Sequence, residues 1–149
     1  MGSFAELRGD GYTAAMPPWD TVLGRVLESQ PDVRLAVLFG STARATRRGD
    51  SDLDIGVLGL PTAALRALQL TLERATGRTV DVIALETAPP LLRFEIARDG
   101  RVLVERTPHI WSDFAARAMV DWWDWAPMAR RFHHAAAARL RAEVSRGPA

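Results

Sequence analysis

The sequence predicts an α/β domain, a small mixed sheet flanked by helices and followed by a C-terminal helical tail. Three observations carry this. Short apolar, partly β-branched runs occupy residues 34–39, 53–58 and 79–85; segments with helical spacing of apolar residues separate them; and helix formers dominate beyond Thr107-Pro108. With 149 residues, 48% hydrophobic and 25% charged, the chain has globular composition and enough length for one real core.

Residues 1–18 are rich in Gly, Pro and small side chains and are expected to form a loose arm. From residue 20 to 29, Val22, Leu23, Val26 and Leu27 recur at helical spacing, with Asp20 or Thr21 as the expected N-cap. RLAVLF (34–39) is read as a buried strand ending at Gly40, and LDIGVL (53–58) as a second strand; the arginine-rich stretch between them includes a short expected helix over 42–46. Pro61 and Thr62 open a helix that carries Leu65, Leu68 and Leu72 on one face, with Gly77 as its C-terminal cap. TVDVIAL (79–85) alternates as a third strand. Pro89 and Pro90 start a helix over 91–98, which Asp99-Gly100 turns into a fourth strand over 101–105. The tail is expected to break or kink at Pro127. The organisation is therefore an arm (1–18), a sheet domain (19–106) and a helical tail (107–149) that packs on the same domain.

Composition excludes several chemistries. Without cysteine there is no disulfide, thiolate metal site or cysteine nucleophile. Every basic side chain apart from histidine is arginine, and neither lysine nor asparagine occurs, which removes a Walker lysine and a Schiff base. The net charge of +1 leaves no global footprint for a nucleic-acid backbone, so no stable nucleic-acid binding is expected. No run of about 18 apolar residues could span a bilayer, and the N-terminus lacks a secretion-type apolar region. A cytoplasmic protein that does not associate with membranes is expected.

The chemistry concentrates between residues 40 and 54. Side chains alternate along a strand, so Asp52 and Asp54 share one face while Leu53, Ile55 and Val57 enter the core. Like charges held so close raise one pKa unless a cation intervenes, and hard carboxylate oxygens suit Mg²⁺. Asp81 interrupts the apolar run 80–85, where an unpaired charge is expensive to bury. If the second and third strands are neighbours, Asp52, Asp54 and Asp81 converge and could hold two metals about 3.5–4 Å apart, with Asp81 also the candidate general base. Gly40 follows a buried strand and lets backbone N–H groups approach a phosphate, and Ser41 adds a hydroxyl. Arg44 suits a bidentate phosphate contact, although an exposed ion pair explains it equally well.

Gly40-Ser41, ten intervening residues, then Asp52-Leu53-Asp54 resembles the signature of the DNA polymerase β-like nucleotidyltransferases, with Asp81 similar to their third carboxylate. The compact size and the GSTAR loop most resemble the minimal nucleotidyltransferases (MNT) that act as antitoxins beside HEPN-domain ribonucleases. Ala45 departs from the glycine common in relatives. The resemblance implies the polymerase β-like fold over 19–106, two Mg²⁺ ions, and ATP as substrate. It also implies transfer of AMP to a tyrosine of a cognate HEPN toxin, which is thereby neutralised. Nucleotidylation of a small molecule or an RNA end, and a catalytically silent antitoxin that only binds its toxin, are the alternatives.

Further along, Trp122, Trp123 and Trp125 cannot share one helix face, so at least one is expected to be buried, and the others are open to core packing or to anchoring a partner. Adjacent His133 and His134 read as surface residues, and Arg47 and Arg48 as a solvated turn. The Arg…His motif of HEPN ribonucleases is absent from the sequence, which places the chain on the antitoxin side.

Overall fold

The computed structural model describes residues 18–44 and 51–146. Residues 1–17 of the arm expected over 1–18, residues 45–46 of the short helix expected over 42–46, and Arg47 and Arg48 lie outside the described residues, while Pro18 opens a helix. In chain order the elements are α1 (Pro18–Glu28), β1 (Leu35–Phe39), α2 (Gly40–Ala43), β2 (Leu53–Leu58), α3 (Thr62–Thr76), β3 (Val80–Ala84), α4 (Pro90–Asp99), β4 (Arg101–Glu105) and α5 (Ile110–Arg146).

The sheet has four strands in the order β3-β2-β1-β4. β1 runs antiparallel to both β2 and β4, whereas β2 and β3 are parallel, with α3 as the crossover a parallel pair requires. Alternation along the strands divides the core in two. On one face Ala36, Leu38, Leu53, Ile55, Val57, Val80 and Val82 pack with Leu23 and Leu27 of α1 and Leu68 and Leu72 of α3. On the other, Leu35 and Val37 pack with Leu85, Ile96 of α4 and Phe114 of α5. Each fully buried Leu, Ile or Val contributes about 1.5–3 kcal/mol relative to exposure, which fixes the register and therefore the direction of every polar side chain between them.

The helices start and stop for local reasons. Pro61 precedes α3, and Gly77 ends it in the left-handed conformation at φ 66°, its N–H donating to Glu73 O at 2.9 Å, as the sequence predicts. Pro90 occupies the first turn of α4, where its missing N–H has no partner to lose.

Three expectations are corrected. α1 begins at Pro18, so Asp20 lies inside the first turn and is not an N-cap; its carboxylate is buried and accepts a hydrogen bond from Arg101 at 2.8 Å. The helix after β1 begins at Gly40, two residues earlier than expected. Pro127 does not break the tail, because α5 runs unbroken from Ile110 to Arg146, about 55 Å at 1.5 Å per residue.

The first half of α5 is anchored by Phe114 and Ala118, by an Arg93–Asp121 ion pair of 3.0 Å, and by Trp122 stacked on Phe94 at 5.2 Å. A fourth expectation fails as well: Trp122 and Trp125 are half-buried and lie 5.6 Å apart, while Trp123 is 69% exposed, so none of the three is buried although at least one is expected to be. His133 and His134 are exposed, as expected. Among the described residues no helix is long and apolar enough to cross a membrane.

Candidate active site

β1 delivers the chain to one end of the sheet. Phe39 is extended, and the backbone then reverses at Gly40 with φ +74° into the single turn of α2. Across the ladder Phe39 pairs with Asp54 of β2, and Asp54 in turn pairs with Asp81 of β3. Because Leu53 and Ile55, like Val80 and Val82, are buried on the α1/α3 face, Asp54 and Asp81 both project to the α4/α5 face. Laterally paired residues of parallel strands lie about 4.8 Å apart, so the two carboxylates stand side by side.

Asp52, just ahead of β2, is fixed through its backbone. Thr42 Oγ1 donates to Asp52 O at 3.0 Å, Leu53 N donates to Thr79 O at 2.9 Å, and the Arg78 guanidinium donates to Ser51 O while lying 5.4 Å from the Trp19 ring. These bonds tie the glycine turn, the start of β2 and the start of β3 into one unit. Asp52 and Asp81 are exposed; Asp54 is half-buried.

Burial raises the pKa of Asp54 above the ordinary carboxylate value, and the charges of Asp81 and Asp52 push it further the same way. All three aspartates named from the sequence are therefore electrostatic neighbours. Three hard oxygen donors with mutual repulsion suit a divalent cation such as Mg²⁺. They are not drawn into a preassembled cage: among the described residues no three acidic or histidine side chains converge as a ready metal cluster.

Glycine is favoured at position 40 by its positive φ, and a side chain there would have to displace the Asp54 carboxylate. A β-carbon there would overlap Asp54 Oδ2 and lie 3.3 Å from Asp54 Cγ. Ser41 is half-buried in α2. Arg44, at the C-terminal end of α2, points to Asp99 of α4, with 3.6 Å between Nη1 and Oδ2. Asp99 is held more tightly by Arg98, whose Nη2 and Nε donate at 2.6 and 3.0 Å, and this pairing lowers the Asp99 pKa. Sequence reasoning took Asp99-Gly100 only as a turn and missed Asp99, Arg98, Thr42 and Arg78. Only the spatial approach of α4 to α2 gives Asp99 and Arg98 their place, and no spacing in the chain signals it.

A four-stranded mixed sheet with this order, carboxylates on the adjacent strands β2 and β3 and a glycine turn at the end of the neighbouring β1 has the fold of the polymerase β-like nucleotidyltransferases. Residues 22–109 match the family model for polymerase beta nucleotidyltransferases, and the chain belongs to that family. No curated protein matches the sequence significantly. Several solved structures share the fold. A chain of a toxin–antitoxin complex with AMP-PNP is 24% identical, with a TM-score of 0.71 over 79% of this chain and 98% of its own. A chain of a mutant MntA toxin–antitoxin complex is 25% identical, with a TM-score of 0.67 over 76% and 93%. A third, from a complex of the tri-AMPylated Shewanella oneidensis HEPN toxin with MNT antitoxin, is 22% identical, with a TM-score of 0.67 over 80% and 96%.

Proposed function

We infer that this chain is an MNT-type antitoxin that transfers AMP from ATP to a tyrosine hydroxyl of a cognate HEPN toxin in the cytoplasm. The observation that carries the reading is the cross-strand pairing of Asp54 with Asp81, beside a Gly40 turn whose positive φ and close approach to the Asp54 carboxylate favour glycine. Family membership supports nucleotidyl transfer, and the similarity to complexes that contain AMP-PNP or a tri-AMPylated HEPN toxin supports the donor and the acceptor.

The chemistry follows from the arrangement. Asp52, Asp54 and Asp81 would hold Mg²⁺, which supplies charge neutralisation at the phosphates when bound. Backbone N–H groups at Gly40-Ser41 and the Ser41 hydroxyl hold phosphate oxygens, and Asp81, on the exposed side of β3, accepts the proton of the incoming tyrosine hydroxyl. The phenolic oxygen forms a bond to the α-phosphorus as the bond to the bridging oxygen breaks, and pyrophosphate leaves with that electron pair. Positioning and electrostatics do most of this work, which is why a small domain suffices.

The test is incubation of the purified chain with α-phosphate-labelled ATP, MgCl₂ and a candidate HEPN-domain partner. Label is expected on the HEPN protein, and Asp52→Asn, Asp54→Asn and Asp81→Asn should each abolish it without unfolding the chain. Undiminished labelling by any one variant removes that residue's role. Neutralisation of the toxin by all three variants would leave a binding antitoxin instead.

A further inference from the structure

At the end of the sheet opposite the aspartates lies a cavity of about 440 Å³, a volume typical of small-molecule sites. Arg34 precedes β1, Leu58 closes β2, and Leu85 and Glu86 follow β3, so these strands line it with the residues farthest from Gly40 and Asp54. Leu58 stands four residues beyond Asp54, about 13 Å along the strand at about 3.3 Å per residue. The facing wall is the Thr107-Pro108 loop and the start of α5, where Asp113 and Arg117 are one helical turn apart and share a face. His109, between loop and helix, takes a left-handed φ of 64°, and its carbonyl accepts from Asp113 N at 2.9 Å, which fixes where α5 starts and so where Asp113 and Arg117 stand.

Charges that could cancel one another are held apart around this cavity. Among the described residues none of Arg34, Arg117, Glu86 and Asp113 enters an ion pair, although both signs line the same space. Glu86 is held in place by the Gly59 N–H, which donates to its Oε1 at 2.7 Å. Arg93 also lines the cavity; its Nη2 pairs with Asp121 at 3.0 Å, yet its Nε is buried without a hydrogen-bond partner among the described residues. Leu58, Leu85 and Phe114 add apolar surface. Guanidiniums, carboxylates and apolar surface around one space suit a ligand that offers an anion, hydrogen-bond donors and an apolar body together.

We propose that this cavity is a second ligand site, for a small dipolar organic anion. Its phosphate or carboxylate head is met by Arg34 and Arg117, its amino or hydroxyl donors by Asp113 and Glu86, and its body by Leu58, Leu85 and Phe114. The site shares no residue with the Gly40 turn or the aspartates, so it stands or falls separately from nucleotidyl transfer.

Amide nuclear magnetic resonance of the full ¹⁵N-labelled chain, titrated with AMP and separately with phenylalanine, tests it and distinguishes the two heads. Saturable shifts are expected at the amides of Glu86, Ile110, Asp113 and Arg117; a response to AMP alone assigns a phosphate head, and one to phenylalanine alone a carboxylate head. Adenosine and 2-phenylethylamine, which keep the bodies and lack the anions, should bind at least about 10-fold more weakly than their parents. Arg117→Ala should weaken the responding ligand by at least about 10-fold, as expected for a lost charge-assisted bond, while Arg139→Ala, on the distal part of α5, should match wild type. Arg34→Ala gives a second measurement, on another element, that survives if Arg117→Ala does not fold, and the same loss is expected. The site is overturned if neither ligand shifts these amides, if AMP shifts only the amides around Gly40 and phenylalanine shifts none, or if the bodies without anions bind as their parents do. Unchanged affinity in both arginine variants overturns it as well.

Discussion

Gly40 and Asp54 occupy one another's space: the carboxylate of Asp54 lies where any side chain on residue 40 would begin. The glycine of the Gly-Ser pair thus has a physical reason beyond its φ of +74°, since it clears room for the acid on the neighbouring strand. Gly40→Ala is expected to displace Asp54, to destabilise the fold by about 1–3 kcal/mol, and to lower AMP-PNP affinity at least about 10-fold. Denaturant unfolding and calorimetry read the two effects separately. A variant that binds the nucleotide as wild type does would show that the Asp54 position is not coupled to the turn.

Function and stability are opposed at Asp54. Its folded-state pKa is raised by burial, then by Asp81 and Asp52. A carboxyl with a folded pKa above its unfolded value penalises the folded state once ionised. The penalty is absent below the unfolded pKa near about 4, grows as pH rises, and is complete above the folded pKa. In EDTA at pH 7, Asp54→Asn should therefore melt at a higher temperature than wild type, and the difference should vanish toward pH 3. Added MgCl₂ should raise the wild-type melting temperature more than that of the variant, because only the wild type keeps the full donor set. Coincident melting curves at pH 7 in EDTA would contradict the repulsion inferred for the cluster.

The Asp20–Arg101 pair predicts an asymmetry. Asp20 is 3% exposed and Arg101 40% exposed, so their losses are not equivalent. Arg101→Ala leaves a buried carboxylate without its cation and should cost about 3 kcal/mol. Asp20→Ala leaves an arginine that can still turn to water and should cost about 1 kcal/mol. The double variant should cost less than the two single losses together. Equal costs for the two single variants, measured by urea unfolding, would mean that the burial of Asp20 carries no penalty.

Much of this arrangement is legible in the chain because it follows from short-range rules. Alternation alone puts Leu53, Ile55 and Val57 in the core and turns Asp54 to the other face, and β2 has the bounds its apolar run implies. The same rule, with the adjacency of β2 and β3, puts Asp81 opposite Asp54. Gly77 caps α3 as its position suggests. Features that join distant parts of the chain are not legible. Asp20 looks like a cap because nothing local shows that Arg101, 81 residues on, will neutralise it inside the core. Asp99 looks like a turn residue because its link to Arg44 exists only once α4 lies on the sheet.

Pro127 shows a local rule overridden, by anchoring on one side of the proline and by helix propensity on the other. Proline has no N–H for the carbonyl of Trp123, four residues earlier, and its ring crowds that carbonyl, which ordinarily ends a helix. α5 nevertheless continues, because Phe114, Ala118 and Trp122 fix its first half, and because Ala129, Ala135 to Ala138 and Leu140 favour helix after the proline. From Arg131 to Ser145 nearly every residue is exposed, including Phe132 at 69% and Val144 at 82%, so packing supplies little there and propensity decides. Pro127→Ala restores the N–H and should stabilise that distal half by up to about 3 kcal/mol. Far-ultraviolet circular dichroism should then hold its helical signal to higher temperature before the main transition. The cooperative melt of the sheet domain, reported by near-ultraviolet signals of Trp111 and Trp122, should move little. If the helical signal of the variant instead declines in step with wild type, the proline imposes no strain on α5, and the distal half owes its order to something other than helix propensity.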